Sequence, residues 1–143
     1  MRNAEHQLYE KIARYLQTQY PGVIYRFDLA ADLKLTPGQA AKHKRLHPDR
    51  GYPDLFIASP RKLKADRVWA KNGWACGLYL EIKAEGNSPF KKDGTLKKDD
   101  HLVEQMAMIC ALLKRGYKAD FAVGFEDCKK KIDEYLGGDN GKH

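Results

Sequence analysis

Two short apolar runs of the sequence carry ionisable side chains that an ordinary strand does not need. The first covers residues 51–57 (GYPDLFI), and the second covers residues 78–83 (LYLEIK). Both have the length and composition of β-strands. Because side chains alternate across a strand, Glu81 and Lys83 project from one face while Ile82 projects from the other. If the two runs pair as a hairpin, Asp54 and Glu81 come close enough to share a divalent cation, with Lys83 beside them.

This combination of side chains favours metal-dependent chemistry on a phosphodiester. Mg²⁺ prefers oxygen ligands and keeps several waters, so Asp54, Glu81, one backbone carbonyl and a substrate phosphate make a sufficient site. Such an ion polarises a phosphodiester and lowers the pKa of a water, while Lys83 is placed to orient that water or to stabilise charge developing on phosphorus. The chemistry indicated is phosphodiester hydrolysis. The structural alternative is that Glu81 and Lys83 form a charge pair on an exposed strand and that Pro53-Asp54 is a turn.

Periodicity along the rest of the chain predicts an α/β domain around these two strands. Helical spacing predicts helices over about residues 3–19, 36–47, 100–115 and 126–136, and further strands are predicted over residues 23–28 and 117–123. The predicted order is α-β-α-β-β-α-β-α. Because a helix crosses over between strands, at least one strand pair should be parallel, which gives a central mixed sheet of about four strands flanked by helices.

The motifs and their order resemble a known family. Pro53-Asp54 followed by Glu81-Ile82-Lys83 matches the Pro-Asp…(Asp/Glu)-X-Lys signature of the restriction-endonuclease-like nuclease superfamily. The fuller pattern is similar to its VRR-NUC branch, the virus-type replication and repair nucleases. That pattern has an early glutamate on a helix, Gly-X-Pro-Asp-Leu, Gly-Leu-X-X-Glu-Ile-Lys, and then Gln105 and Gly116-Tyr117. It runs from about Ala4 to Leu136, nearly the whole chain.

The resemblance implies a restriction-endonuclease-like core and a DNA endonuclease dependent on Mg²⁺ or Mn²⁺. In that reading Asp54, Glu81 and the backbone carbonyl of Ile82 hold the metal, Lys83 positions or activates the attacking water, and Gln105 supports the centre. Stand-alone members of the family imply a homodimer that acts on branched DNA such as a Holliday junction, in a phage or prophage setting. The length of 143 residues indicates one domain, predicted over residues 1–137, with a flexible C-terminal tail over residues 138–143.

The first predicted helix carries a candidate for a third acidic residue. Leu8, Ile12 and Leu16 lie on one face at helical spacing, and Glu5 belongs to the same stripe. A glutamate on the packed side of a helix needs a partner, and a metal centre is one. Glu5 also matches the family's early glutamate, and Glu10, which lies off the stripe, is the second candidate. The structural alternative is that Glu5 occupies the first helical turn because the helix dipole favours an acidic group there.

Two basic segments are candidates for contact with a nucleic-acid backbone. One is the predicted helix 36–47 with the residues that follow it, and the other is a stretch over residues 85–100 that is predicted to be mobile and to close over a bound strand. Lysine and arginine bind phosphates without reading sequence. A solvated surface has the same composition, so both interpretations stay open. The DNA-binding candidates are Lys42, Lys44, Arg45, Arg50, Lys91, Lys92, Lys97 and Lys98.

The long connection over residues 59–77 is also rich in basic residues, with Trp69 and Trp74 between them. Loops of this length are usually functional or mobile. Basic and aromatic side chains together could grip DNA, while the tryptophans could equally cover apolar surface or form a dimer contact. The sequence does not choose between these roles.

Composition sets limits on the function. The net charge of +7 fits a polyanionic partner. Three widely spaced cysteines suggest neither a disulfide framework nor a zinc site, and are expected to be reduced packing residues in a cytoplasmic protein of a bacterial host or a phage. No apolar run approaches the ~20 residues that span a bilayer, so no membrane partner is expected. Two rival functions remain: a sequence-specific or non-specific DNA endonuclease, and a non-catalytic DNA-binding protein with a vestigial site.

Overall fold

Four strands of mixed direction form the central sheet of the structure, a computed structural model that describes residues 4–28, 34–63 and 73–137. The predicted α/β class and the element order are confirmed, with one small hairpin added between the two motif strands. The helices are α1 (Ala4–Gln19), α2 (Pro37–Leu46), α3 (Asp100–Lys114) and α4 (Gly124–Leu136). The strands are β1 (Tyr25–Phe27), β2 (Leu55–Ile57), β3 (Arg61–Lys62), β4 (Trp74–Ala75), β5 (Leu78–Lys83) and β6 (Lys118–Val123).

The strand order across the sheet is β1-β2-β5-β6. β2 is antiparallel to both of its neighbours, and β5 is parallel to β6 because α3 crosses over between them. The mixed sheet is therefore confirmed. In the β2–β5 pair Leu55 lies opposite Leu80. Asp54 precedes that pair, and its N–H bonds the Leu80 carbonyl while its carboxylate interacts with Glu81, which is the approach that the hairpin hypothesis requires.

The two faces of β5 pack against different helices. Leu80 and Ile82 belong to a core that includes residues of α1 and α4, whereas Tyr79 packs with Ile109 and Leu112 of α3. The strand is buried along most of its length because helices cover both faces of the sheet. Each large apolar side chain buried in this way stabilises the fold by about 1.5–3 kcal/mol.

Polar contacts fix the position of α1 across the sheet. Asp133 on α4 accepts hydrogen bonds from the hydroxyls of Tyr15 and Tyr20, at 2.5 and 2.6 Å. A carboxylate that accepts two hydroxyl donors forms stronger bonds than a neutral acceptor does. These bonds join the C-terminal part of α1 to α4, and so help to set where its first turns lie.

α2 differs from the other helices because none of its residues is buried. Its N-terminus is stabilised locally. The N–H of Gln39 donates to Oγ1 of Thr36, the N–H of Thr36 donates to Oε1 of Gln39, and Pro37 occupies the first turn. A helix that is polar and exposed on all sides receives little help from tertiary packing. Its surface is therefore available to a partner.

Two connections depart from a simple loop. The connection over residues 59–77 contains the antiparallel pair β3–β4. Of the basic and aromatic residues noted there, Lys64, Arg67, Trp69 and Lys71 lie outside the described part of the chain. In the stretch over residues 85–100, Phe90 bridges to Leu96, and Pro89 is fully buried. That stretch is thus a short hairpin anchored to the α3 side of the sheet, and its four lysines are exposed.

The structure also tests two smaller expectations. Only Cys128 is a buried packing residue, and the same expectation for Cys76 and Cys110 is wrong because both are exposed. No helix in the described ranges is long and apolar enough to cross a lipid bilayer. The predicted tail over residues 138–143 lies outside the described residues.

Candidate active site

Backbone and side-chain hydrogen bonds both hold Asp54 at the start of β2. Its N–H donates to the Leu80 carbonyl at 3.1 Å, and its carbonyl accepts from the N–H of Asp28 at 2.8 Å. One carboxylate oxygen, Oδ2, accepts from the N–H of Ile82 at 2.7 Å. Both backbone groups of a strand residue point to the same neighbouring strand, so the Ile82 carbonyl also faces the side of Asp54. The predicted ligand pair is therefore brought together by strand geometry.

Glu81 lies beside Asp54 in a water-poor position. Asp54 is 5% exposed and Glu81 is 4% exposed. Burial, and then the hydrogen bond to Asp54 and its negative charge, raise the pKa of Glu81. Among the described residues, no lysine or arginine forms a salt bridge with either carboxylate, although the charge of Lys83 partly opposes the rise. Two adjacent buried carboxyl groups are costly unless a proton or a cation neutralises them.

Lys83 lies on the same face of β5 as Glu81, two residues further along the strand. Its Nζ donates to Oε1 of Gln105 on α3 at 2.8 Å. An amide oxygen orients the ammonium without neutralising its charge, as a carboxylate would. The sequence placed Gln105 only beside the apolar stripe of α3, and the structure gives it a specific contact with the predicted catalytic lysine.

Gly51 sets the approach of the motif loop to α3. Its φ is +79°, a left-handed conformation that glycine adopts readily. A Cβ atom at this position would lie 2.6 Å from the backbone oxygen of Glu104. Only glycine fits this close approach, so the loop that leads into Asp54 lies directly against the helix that carries Gln105.

The first turn of α1 brings Glu5 to the two carboxylates. Glu5 lines the same groove as Asp54 and Glu81, and its charge contributes to the raised pKa of Glu81. Glu10, the second candidate, instead faces His6 at 3.3 Å and lies outside the groove lining. Of the two, the structure places Glu5 with the other acidic residues.

Tyr9 is a residue near this site that the motifs did not indicate. Burial raises the pKa of Tyr9, the charge of Asp54 and the interaction of the Tyr9 hydroxyl with its carboxylate raise it further, and the charges of Glu5 and Glu81 add to the rise. The ring is 6% exposed and stacks on Phe27, and the hydroxyl faces the Asp54 carboxylate without a hydrogen bond of normal length to any described residue. The signal available in the sequence is its spacing, one helical turn after Glu5.

A groove of about 1100 Å³ opens over these residues. Of the predicted DNA-binding residues, Lys44 and Arg50 line it, and Arg50 lies 3.9 Å from Glu104. Lys42 and Arg45 are exposed on α2 outside the lining, as are the hairpin lysines Lys91, Lys92, Lys97 and Lys98. The groove is also lined by Arg26, His43, His47 and His101. The lining is mixed in charge, because the acidic residues Asp28, Asp49 and Glu104 lie among these basic ones in addition to Glu5, Asp54 and Glu81.

The oxygen donors present fit a hard divalent cation. Within the described ranges, no group of three or more His, Cys, Asp or Glu side chains is arranged to hold a metal ion. The candidate ligands are the two carboxylates of Asp54 and Glu81 with the Ile82 carbonyl, and Mg²⁺ commonly uses so few protein ligands because it keeps several waters. The carboxylates lack a salt-bridge partner among the described residues, and a cation would relieve their repulsion.

The fold and the site together define a class of protein. In this class a mixed sheet flanked by helices carries, at one groove, a carboxylate from a Pro-Asp pair, a strand with the pattern Glu-X-Lys and a glutamine from a helix. The chain is similar to a solved structure described as a "VRR_NUC domain protein", with a TM-score of 0.59 and 26% sequence identity. The similarity covers 96% of this chain and 91% of that one. No protein-family model matches the chain, and no curated protein matches it. The resemblance read from the motifs is thus confirmed as a structural match.

Proposed function

We propose that the chain is a nuclease, and specifically an endonuclease that hydrolyses DNA phosphodiester bonds with Mg²⁺ or Mn²⁺. The observation that carries this proposal is the arrangement of Asp54 beside Glu81, both buried, with Lys83 on the same face of β5 as Glu81 and held by Gln105. The similarity to a VRR_NUC domain protein over nearly the whole chain supports it. A charge pair on an exposed strand, the structural alternative, does not agree with the burial of Glu81.

Each residue of the site has a distinct role in this proposal. Asp54, Glu81 and the Ile82 carbonyl would hold the divalent ion, which supplies Lewis-acid polarisation of the phosphodiester when bound. Lys83 orients the attacking water or stabilises the charge that develops on the phosphate oxygens. Gln105 keeps the ammonium of Lys83 aimed at the groove.

Glu5 completes the acidic cluster from α1. It lines the groove and acts electrostatically on Glu81, which is the behaviour expected of a third acidic residue. Its direct contact with the metal stays a prediction. The helix dipole alternative remains compatible with its place in the first turn of α1.

DNA binding in this proposal is electrostatic and follows the backbone. Lys44 and Arg50 lie at the groove and would contact phosphates near the scissile bond. Lys42 and Arg45 extend the basic surface along α2, whose residues are not committed to the core. The four lysines of the hairpin after β5 would contact DNA further from the site.

The finer identity of the substrate follows from the family resemblance. The proposed substrate is a branched duplex such as a Holliday junction, and the proposed active form is a homodimer. The proposed location is the cytoplasm of a bacterial cell, with the gene carried by the host or by a phage. A sequence-specific or non-specific endonuclease would use the same centre. Labelled linear, flap, splayed and four-way substrates, incubated with Mg²⁺ or Mn²⁺, separate these readings. Equal cleavage of linear and branched DNA would contradict the branched-DNA proposal.

Replacing Lys83 with alanine tests whether the site is catalytic. Loss of one group that stabilises transition-state charge lowers kcat by about 10²–10³-fold. DNA affinity in Ca²⁺ should change by less than about threefold, because one phosphate contact among many carries little of the binding. The control is Lys130→Ala, an exposed lysine on α4. Loss of binding and hydrolysis in the same proportion would instead favour the non-catalytic DNA-binding protein.

A further inference from the structure

One aromatic side chain at the groove has no role in the chemistry described above. In the described ranges, five large apolar or aromatic residues are strongly exposed. Of the two aromatic ones, Tyr52 lines the groove at 48% exposure and Trp74 lies outside it at 50% exposure. Tyr52 is two residues before Asp54 in the chain, and both residues line the same groove. Exposed aromatic surface at a functional groove commonly marks a binding contact.

Contacts with Tyr79 hold the ring of Tyr52 in place. Its hydroxyl donates to the hydroxyl of Tyr79 at 3.0 Å, and the two rings meet edge to face with centroids 5.5 Å apart. Tyr79 is buried and stacks on Phe56, with centroids 4.4 Å apart. On either side in the chain, Gly51 lies against α3 and Pro53 is fully buried. Because the ring is already ordered, the Tyr52 side chain loses little conformational entropy when a ligand stacks on it.

We propose that Tyr52 is a stacking platform for an unpaired nucleobase next to the scissile phosphate. This inference rests on the proposed nuclease function and adds a subsite to it. Every base has a π-face, so stacking on an aromatic side chain is tolerant of sequence. A base inside a continuous duplex is covered on both faces by its neighbours, whereas a base at a branch or a frayed end has a face to offer. Tyr52 therefore gives the groove a preference for DNA with unpaired bases.

The direct test is a fluorescence measurement with 2-aminopurine placed in the unpaired part of a splayed duplex, in Ca²⁺. Stacking on Tyr52 should quench the probe when wild-type protein binds. Stacking contributes about 1–3 kcal/mol per base, so Tyr52→Leu should weaken binding of the splayed DNA by about fivefold or more and abolish the quenching. Binding of a continuous duplex should not change. Trp74→Leu, which removes an equally exposed aromatic outside the groove, is the matched control.

A second variant separates stacking from folding. Tyr52→Phe keeps the ring and removes the hydrogen bond to Tyr79, so it should retain both the quenching and the preference for splayed DNA. The inference would be overturned if Tyr52→Leu quenched the probe as strongly as the wild type does, or if this variant lost affinity equally for splayed and continuous DNA. The binding assay does not require cleavage. A protein that binds as expected in Ca²⁺ but does not hydrolyse DNA in Mg²⁺ or Mn²⁺ would overturn the proposed function alone.

Discussion

Replacing Glu81 with glutamine tests the carboxylate pair without any assay of cleavage. Burial and Asp54 raise the pKa of Glu81 from 4.5 to about 10. In the absence of metal the folded chain therefore keeps a proton that the unfolded chain releases above the ordinary glutamate pKa. Stability from such a group is fully present at low pH and is lost as pH rises towards the folded pKa. Glutamine has a similar shape and no proton to lose, so Glu81→Gln should lack this component of the pH dependence.

The size of the effect follows from the linkage of one proton. Each pH unit between the unfolded and folded pKa values of Glu81 removes at most about 1.4 kcal/mol from the free energy of unfolding. From about pH 5.5 to about pH 7.5 the ceiling is therefore about 2.7 kcal/mol. A chain of this size shifts its Tm by roughly 3 °C per kcal/mol. The metal-free wild type should lose up to about 8 °C more than Glu81→Gln over this range.

Thermal unfolding in EDTA across this pH range measures the effect, with the exposed Glu85→Gln as the control. Because a divalent cation displaces the proton of Glu81, metal binding to the wild type near pH 7 should release about one proton per ion. Calorimetric titration with Mn²⁺ in two buffers of different ionisation enthalpy measures that release. Parallel unfolding curves for the wild type and Glu81→Gln, with no proton release on Mn²⁺ binding, would refute the reasoning.

Two further substitutions test the loop and helix that frame the site. Gly51→Ala should lower stability by at least about 2 kcal/mol more than Gly22→Ala and abolish hydrolysis, because both glycines have positive φ but only Gly51 lies against the backbone of Glu104. Urea denaturation compares the two variants, and equal losses would contradict the close-approach argument. Tyr9→Phe should change metal-free stability by less than about 1 kcal/mol, since the buried hydroxyl of Tyr9 faces the Asp54 carboxylate but makes no hydrogen bond of normal length to any described residue. A loss of more than about 1 kcal/mol in the same measurement would show that the hydroxyl is bonded in the folded chain.

Sequence alone was sufficient to predict the strands that carry the acidic pair. Strand periodicity places Glu81 and Lys83 on one face whatever the rest of the fold does, and the short apolar runs around them have few other stable conformations. The helix between β5 and β6 likewise requires a parallel pair, because a hairpin cannot contain it. Local rules of this kind depend on residues within one or two elements, and the structure confirms the fold that they predict.

The contacts that could not be predicted from the sequence are those between elements that are distant in the chain. The approach of Tyr9 to Asp54 requires the angle at which α1 crosses the sheet, and the contacts of Tyr15 and Tyr20 with Asp133 on α4 help to set that angle. Charge composition likewise could not tell which lysines face the groove. Lys42 and Lys44 are two positions apart on α2 and therefore project in different directions, so only one of them lines it.

The double role of Asp54 explains why the site lies where it does in the sheet. β2 begins at Leu55, so the N–H of Ile82 has no strand residue opposite it and takes Oδ2 of Asp54 as its acceptor. That bond satisfies a buried donor, which is a requirement of the fold. It also fixes the carboxylate beside Glu81, with which it would share a cation. The end of strand pairing thus creates both the need for a carboxylate and the position in which that carboxylate can act on a phosphodiester.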